Sequence, residues 1–143
     1  MAAIQKKFLL QFPSSTENLA MVRAFLENIG KQAGMAEDEV AKIQLAVDEA
    51  CSNVIEHAYG HDKSKEVLIE VSYDDAQLKI SIVDRGRGFD PDSVEPQQLK
   101  ELAARRQTGG LGLTLIRTLM DEVHYDIVPG EKNQIRLIKH FVK

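Results

Sequence analysis

The sequence predicts an α+β fold, a two-layer α/β sandwich in which a mostly antiparallel five-stranded sheet carries three main helices on one face. Five short segments alternate hydrophobic and polar residues, which is typical of half-buried strands. Three other segments repeat hydrophobic residues at helical spacing. The 143 residues, of which 43% are hydrophobic, suffice for a single domain over 1–143 with one continuous core.

The first strand and the first helix follow each other at the start of the chain. Alternating hydrophobic residues over 4–12 indicate the strand. Ser14 and Glu17 then stand at the spacing of a capping box, so a helix is expected to begin there and to continue to about Gly34. The hydrophobic stripe that defines this helix consists of Leu19, Val22, Leu26 and Ile29.

The second helix, expected over about 37–59 with Gly60 as its stop, carries a polar pair that packing alone does not require. Glu49 and Asn53 are one turn apart, so their Cβ atoms should lie about 5–6 Å from each other on one face. Asn is a poor helix former, because its side chain competes for backbone hydrogen bonds. The pair is therefore either solvated surface or part of a site. The buried stripe should contain Val40, Ile43, Val47, Ala50, Val54 and Ala58.

A hairpin and a long connection come next. Alternation over 67–73 and 78–82 predicts two strands joined by a turn at "DDAQ". The stretch 89–108 has two prolines, many charges and few hydrophobic anchors, with one short helix expected at about 97–106. In a compact domain, so long a connection is usually functional.

The end of the chain predicts a helix and a second hairpin. The helix is expected over about 111–121. Two strands, "VHYDIV" and "QIRLIKHFV", flank a turn at "PGEKN". The core stripe of the helix is expected to be Leu111, Leu115, Leu119, Met120 and Val123.

A carboxylate ends the inward-pointing series of the third strand. Asp84 continues the alternation of the hydrophobic residues before it, so it should lie at the edge of the core and have a dedicated hydrogen-bond partner. Gly86 and Gly88 allow something to approach the backbone closely. The arrangement suits reading a donor such as an exocyclic amine. The alternative is an Asp-Gly turn that only closes the strand.

A cluster of glycines stands just before the third helix, in "TGGLGL". Free N–H groups and the positive end of a helix dipole favour a phosphate at such a position. The alternative is a flexible helix start. The cluster is neither a P-loop nor a GxGxxG fingerprint, so the corresponding nucleotide folds lack support.

These three motifs together resemble a known family. The wording of "AVDEACSNVIEHAY", "VDRGRGFDP" and "GGLGLTLIRTLMDEV" is similar to that of the bacterial anti-sigma-factor serine kinases, over nearly the whole chain. Those proteins belong to the gyrase, histidine kinase and MutL ATPase superfamily and bind ATP in a single domain. The signature of the superfamily is matched in order by Glu49-x-x-x-Asn53, Asp84-x-Gly86-x-Gly88 and Gly110-x-Gly112.

The resemblance implies roles for individual residues. Asn53 matches the residue that holds Mg²⁺ against the triphosphate, and Glu49 matches the acidic residue proposed as general base. Asp84 matches the residue that accepts a hydrogen bond from the adenine amino group. The implied nucleotide-binding set, in which His57 packs near the pocket, is Asn53, His57, Asp84, Gly86, Gly88, Phe89, Thr108, Gly109, Gly110, Leu111, Gly112 and Leu113.

Two features of the family stay open in this sequence. A mobile ATP lid falls on 89–109, where Arg105 or Arg106 would reach the γ-phosphate; the alternative for both is a solvated lid helix. The family usually has a Gly-Thr in the last strand pair, whose hydroxyl joins the adenine-reading network. Here "GEKNQIRL" offers Asn133 instead, so the adenine contacts are expected to be rearranged.

The resemblance implies an ATP-dependent serine kinase that phosphorylates a serine of an anti-sigma-factor antagonist and sequesters a sigma factor, as a homodimer. One alternative is a nucleotide-gated regulatory module without transferase activity, and another is a detached histidine-kinase catalytic domain. With 22 acidic and 18 basic residues, a nucleic-acid partner is not expected. A single cysteine and the lack of a long apolar segment favour a cytoplasmic protein without a membrane partner.

Overall fold

The structure, a computed structural model, describes residues 5–86 and 108–141, apart from the side chains of 108–112. The strands are β1 (Lys6–Pro13), β2 (Glu66–Tyr73), β3 (Gln77–Asp84), β4 (Glu122–Val128) and β5 (Lys132–His140). The α-helices are α1 (Leu19–Gln32), α2 (Glu37–Asn53) and α3 (Thr108–Leu119).

The sheet has the order β1-β2-β3-β5-β4, and each neighbouring pair is antiparallel. The helices pack on the face of the sheet to which the alternate hydrophobic residues of the strands point, and they share one core with it. This confirms the predicted α+β fold. Because β3 lies in the centre of the sheet and pairs with β5, the end of β3 is brought beside the start of β5.

The hydrophobic stripes of the first two helices are confirmed. All ten of the residues expected to define them are buried, and nine belong to the main core cluster. The stripe expected for α3 is confirmed in part. Met120, directly after the helix, is buried, and Leu119 and Val123 pack against the core. Leu115 is only partly buried, whereas Leu113 and Ile116, which were not expected in the stripe, are buried. The helix also begins at Thr108, three residues earlier than expected.

The capping box is not formed. Ser14 is fully buried, and its hydroxyl donates to the backbone carbonyls of Asp62 at 2.5 Å and Lys65 at 3.0 Å. A short 3-10 turn, Thr16–Asn18, precedes α1 and receives no side-chain cap from Ser15. Ser14 therefore ties the loop after the second helix to the end of β1, a long-range contact that local spacing does not reveal.

The second helix does not stay regular to its end. After Asn53 it continues as a π-helical turn, Val54–Ala58, in which the N–H of Tyr59 donates to the carbonyl of Val54 at 2.9 Å. The predicted stop is confirmed, because Gly60 has a positive φ of 56°. Single π-helical turns within α-helices are frequent at functional sites.

The predicted lid and the short helix expected at 97–106 lie outside the described residues, except for Thr108 and Gly109 at the start of α3. Within the described part of the chain, no helix is both long and apolar enough to cross a membrane.

Candidate nucleotide-binding site

A cavity opens between the second helix and the sheet, at the end where β3 finishes and β5 begins. Polar side chains stand on both of its sides, and apolar side chains lie between them. The residues that line it include Asn53, Val54, Ala58, Asp84, Leu113, Tyr125, Ile127 and Asn133.

Asp84 is the carboxylate at the sheet side of the cavity. It is 6% exposed, and its Oδ1 accepts hydrogen bonds from the N–H of Gly86 at 2.8 Å and from Asn133 Nδ2 at 2.9 Å. Burial raises the pKa of Asp84, and these two hydrogen bonds oppose the shift. The dedicated partners expected from the sequence are thus present. Among the described residues, no hydrogen bond engages Oδ2, which is therefore available to a ligand.

Gly86 is required by packing against the second helix. A Cβ at this position would overlap the carbonyl oxygen of Ala58, in the π-helical turn. The Gly86 carbonyl accepts from Asn133 Nδ2 at 2.8 Å and from the N–H of Gly130 at 2.8 Å. The backbone after Asp84 is therefore held from both sides, which fixes the direction of the carboxylate.

Tyr59 joins the end of the second helix to the sheet. Its hydroxyl donates to the carbonyl of Glu66 at 2.7 Å and accepts from the N–H of Arg85 at 2.9 Å. One side chain thus links the residue after the π-helical turn with the start of β2 and the end of β3. Sequence reasoning missed this link, because a tyrosine near a helix end carries no sign of its partners.

Asn53 stands on the helix side of the cavity, as the last residue of α2. It is 4% exposed, and its Oδ1 is buried with no hydrogen-bond partner within the ranges 5–86 and 108–141. A buried polar atom without a partner is costly, and a ligand bound in the cavity would relieve that cost. A neutral amide oxygen fits the donor set of Mg²⁺ beside phosphate and water.

Glu49 lies one turn before Asn53 and is half-buried. Burial raises the pKa of its carboxyl group, and the neighbouring Asp48 and Glu56 raise it further. A carboxylate with a raised pKa is a stronger base, so the local environment suits proton transfer. Glu49 is not among the side chains that line the cavity.

Some of the residues predicted for the site do not line the cavity, and others lie outside the described residues. His57 is on the outer side of the helix end, with a side chain that is 44% exposed, 3.9 Å from Glu56. Gly88, Phe89, Arg105 and Arg106 lie outside the described residues. The backbone of the phosphate motif forms the first turns of α3 itself instead of preceding it, and comprises Thr108, Gly109, Gly110, Leu111 and Gly112.

Sequence reasoning missed several of the lining residues, among them Tyr125 and Ile127. Tyr125 and Ile127 reach the cavity from the inward series of β4, and burial raises the pKa of Tyr125 to about 12. Asn133 had a visible signal, because it is a polar residue in the inward series that continues with Ile135 and Leu137. That it faces Asp84 across the β3–β5 pair depends on the sheet register.

Known proteins are similar to this chain in both sequence and fold. Residues 12–139 match the family described as histidine kinase-like ATPase domain. A protein named serine-protein kinase RsbW from Listeria innocua is 33% identical over 132 residues, covering 88% of this chain and 84% of the relative. The protein of the same name from Bacillus subtilis is 34% identical over 118 residues, covering 80% and 74%.

Two solved structures show the same fold at low identity. The RsbU and RsbW domains of Rv1364c from Mycobacterium tuberculosis match with a TM-score of 0.68 and 18% identity, over 94% of this chain and 32% of that one. This chain thus spans about a third of that protein. The SiaB-SiaC complex from Pseudomonas aeruginosa matches with a TM-score of 0.68 and 15% identity, over 92% and 88%. From its match over 12–139 and its identity to the Listeria and Bacillus relatives, the chain belongs to the RsbW-type serine-protein kinases of the histidine kinase-like ATPase domain family.

Proposed function

We propose that this protein is an ATP-dependent serine kinase that phosphorylates a serine of an anti-sigma-factor antagonist and that also binds a sigma factor. The observation that carries the proposal is the pair of polar groups on opposite sides of one cavity. Asp84 presents a fixed carboxylate, and Asn53 presents a buried oxygen without a partner in the described chain. A donor-bearing base and a metal-bound phosphate satisfy these two groups.

The adenine base binds at the sheet side of the cavity, and the existing hydrogen bonds of Asp84 do not have to change. Asp84 Oδ1 is already occupied by Gly86 and Asn133, so Oδ2 accepts the adenine amine. Because the site is buried, this hydrogen bond is worth more than the same contact in water. The apolar residues Val54 and Leu113 line the same cavity and suit the faces of the purine ring.

The helix end positions the triphosphate and the proton acceptor. Asn53 would hold Mg²⁺, which neutralises charge on the transferring phosphate when bound. Phosphate and water would complete the ligand set, because Mg²⁺ usually keeps several waters and binds through few protein oxygens beside the substrate phosphates.

Glu49 takes the proton of the attacking serine hydroxyl. A bond forms between that oxygen and the γ-phosphorus, the bond to the β–γ bridging oxygen breaks, and ADP leaves with the electron pair. The raised pKa of Glu49 favours the proton transfer, because the carboxylate is a stronger base than an exposed one. The lid over 89–109, the contact of Arg105 or Arg106 with the γ-phosphate, the homodimer and the cytoplasmic location stay predictions.

Transfer of label from [γ-³²P]ATP to a candidate antagonist tests the proposal. Acid-stable label on a serine of the antagonist is the expected result. Acid-labile label would indicate a histidine kinase. Formation of a nucleotide-dependent complex with no transferred label would replace the kinase with a nucleotide-gated binding module.

A further inference from the structure

The amide of Asn133 faces the cavity with an atom that nothing in the described chain engages. The side chain is 4% exposed, and its Oδ1 is buried without a hydrogen-bond partner among the described residues. Asn133 lines the same cavity as Asp84, its partner in the β3–β5 register. A buried acceptor without a donor, more than nine-tenths enclosed, carries a desolvation cost that a donor on a ligand in the cavity would relieve.

The orientation of this amide is fixed by its neighbours. Nδ2 donates to Asp84 Oδ1 at 2.9 Å and to the carbonyl of Gly86 at 2.8 Å, which uses both of its hydrogens. A flipped amide would place Oδ1 against two other acceptors and lose both bonds. Oδ1 is therefore the atom that Asn133 can offer to the cavity, and it offers an acceptor only.

Asp84 and Asn133 line the same cavity, and each has an oxygen, Asp84 Oδ2 and Asn133 Oδ1, to which no described residue donates a hydrogen bond. We propose that Asn133 determines base specificity by accepting the second hydrogen of a 6-amino group whose first hydrogen is bound by Asp84. This rests on the proposed function, which assigns the cavity to ATP. Two acceptors match an unsubstituted exocyclic amine and oppose a 6-keto group, since its oxygen would face both of them.

A hydroxyl at this position would behave differently. It rotates, and it can donate to Asp84 while it accepts from water or from the ligand. The fixed amide cannot adapt in this way. An amine with one hydrogen replaced by a methyl group would leave Asn133 Oδ1 buried and unpaired, and the methyl group would press against it.

A series of nucleotides measured by calorimetry with the unmodified protein tests the inference. The probes are ATP, N6-methyl-ATP and N6,N6-dimethyl-ATP, each with Mg²⁺. Because each methyl group leaves one buried acceptor unpaired, we expect each to weaken binding by at least about fivefold. If Asp84 alone reads the amine, the first methyl group turns away and costs less than about twofold, which overturns the inference.

The variant Asn133→Thr sharpens the test, because its hydroxyl can still donate to Asp84. We expect ATP to bind within about fivefold of the unmodified protein, while the penalty for the first methyl group falls below about threefold. Asn28→Thr, on the exposed side of α1, is the matched control and should keep the full penalty. An unchanged penalty in Asn133→Thr would contradict the inference.

The two proposals fail in distinguishable ways. If the unmodified protein binds ATP but does not discriminate against N6-methyl-ATP, only the role of Asn133 is wrong. If it binds none of the three nucleotides at millimolar concentration, both the proposed function and the role of Asn133 are wrong. The nucleotide series alone decides between these results, should Asn133→Thr fail to fold.

Discussion

At the sheet side of the cavity, Asp84 is held by two donors at 2.8 and 2.9 Å, whereas on the helix side the Oδ1 of Asn53 is buried without a partner in the described chain. The first group is organised before any ligand arrives. The Asn53 oxygen is also in position, but in the described chain it has no hydrogen-bond partner until a ligand binds. The difference indicates that base recognition is built into the fold, and that the phosphate end is completed by the nucleotide and its cation.

The electrostatic surroundings of Asp84, on the sheet side of the cavity, also differ from those of Glu49, on the helix side. Asp84 is surrounded by neutral donors, while Glu49 has Asp48 and Glu56 as its neighbours, and both raise its pKa. A triphosphate near such a group of carboxylates is repelled unless a cation intervenes. We therefore expect the helix end to depend strongly on Mg²⁺ and the sheet end to depend little on it.

The largest expected effect is a loss of serine phosphorylation without a loss of ATP affinity, when the general base on the helix side of the cavity is replaced. Glu49→Gln should lower the rate of serine phosphorylation by about 10²–10⁴-fold, because the general base is lost. ATP affinity should be unchanged or slightly higher, since a negative charge near the triphosphate is removed. Phosphotransfer kinetics and calorimetry measure the two quantities. The exposed control Glu17→Gln should change neither, and equal losses of affinity and rate in Glu49→Gln would exclude the role of base.

The next effect concerns the sheet end. Asp84→Asn keeps an Oδ1 that accepts from Gly86 and Asn133, but turns the ligand-facing acceptor into a donor. We expect ATP affinity to fall by about 100-fold, from the lost charged hydrogen bond and the opposed donors. Thermal shift with ATP checks this, with Asp75→Asn in the exposed β2–β3 turn as the control. A variant that ATP stabilises as well as the unmodified protein would remove Asp84 from the site.

A smaller effect tests the unpartnered oxygen of Asn53. Asn53→Ala should abolish the increase in ATP affinity that Mg²⁺ produces, about tenfold or more, and leave Mg²⁺-free binding little changed. The unliganded protein should not melt at a lower temperature, because the substitution removes a buried oxygen that has no partner among the described residues. Calorimetry with and without EDTA measures the first effect. Retention of the full Mg²⁺ dependence would show that Asn53 is structural.

The smallest expected effect comes from the titration of Asp84. As pH rises through its raised pKa, the free protein should become less stable while ATP affinity increases. The raised pKa of Asp84 means that the free protein loses stability from this group as pH rises from the ordinary pKa, about 4, through the raised one. Only the ionised carboxylate accepts from the amine, so ATP affinity falls as pH drops through the raised pKa, by at most about tenfold per unit. Calorimetry and urea denaturation across this range check both signs. Asp84→Asn should lack the contribution of Asp84 to both dependences, and a difference between the two proteins that has the same sign for both quantities would contradict the assignment.

Much of the fold could be predicted from the sequence, because the hydrophobic patterns of its helices and strands repeat over only a few residues. The stripes of α1 and α2 and the alternation in the strands report which side of each element is buried. The stripe of α3 was predicted only in part, because hydrophobic residues occupy several sides of that helix. Ser14 was misread because its spacing to Glu17 fits a capping box, while its actual acceptors, the carbonyls of Asp62 and Lys65, are distant in sequence.

The sequence by itself determined the strand and helix pattern, the buried carboxylate at the end of a strand, and the acid–amide pair one helical turn apart. These follow from residue type and spacing, which act over a few residues. Only the tertiary structure decided that Asn133 locks Asp84, that Gly86 packs on Ala58, and that Asn53 Oδ1 has no partner in the described chain. Such facts depend on strand order and register, which join residues far apart in the chain and leave no local trace.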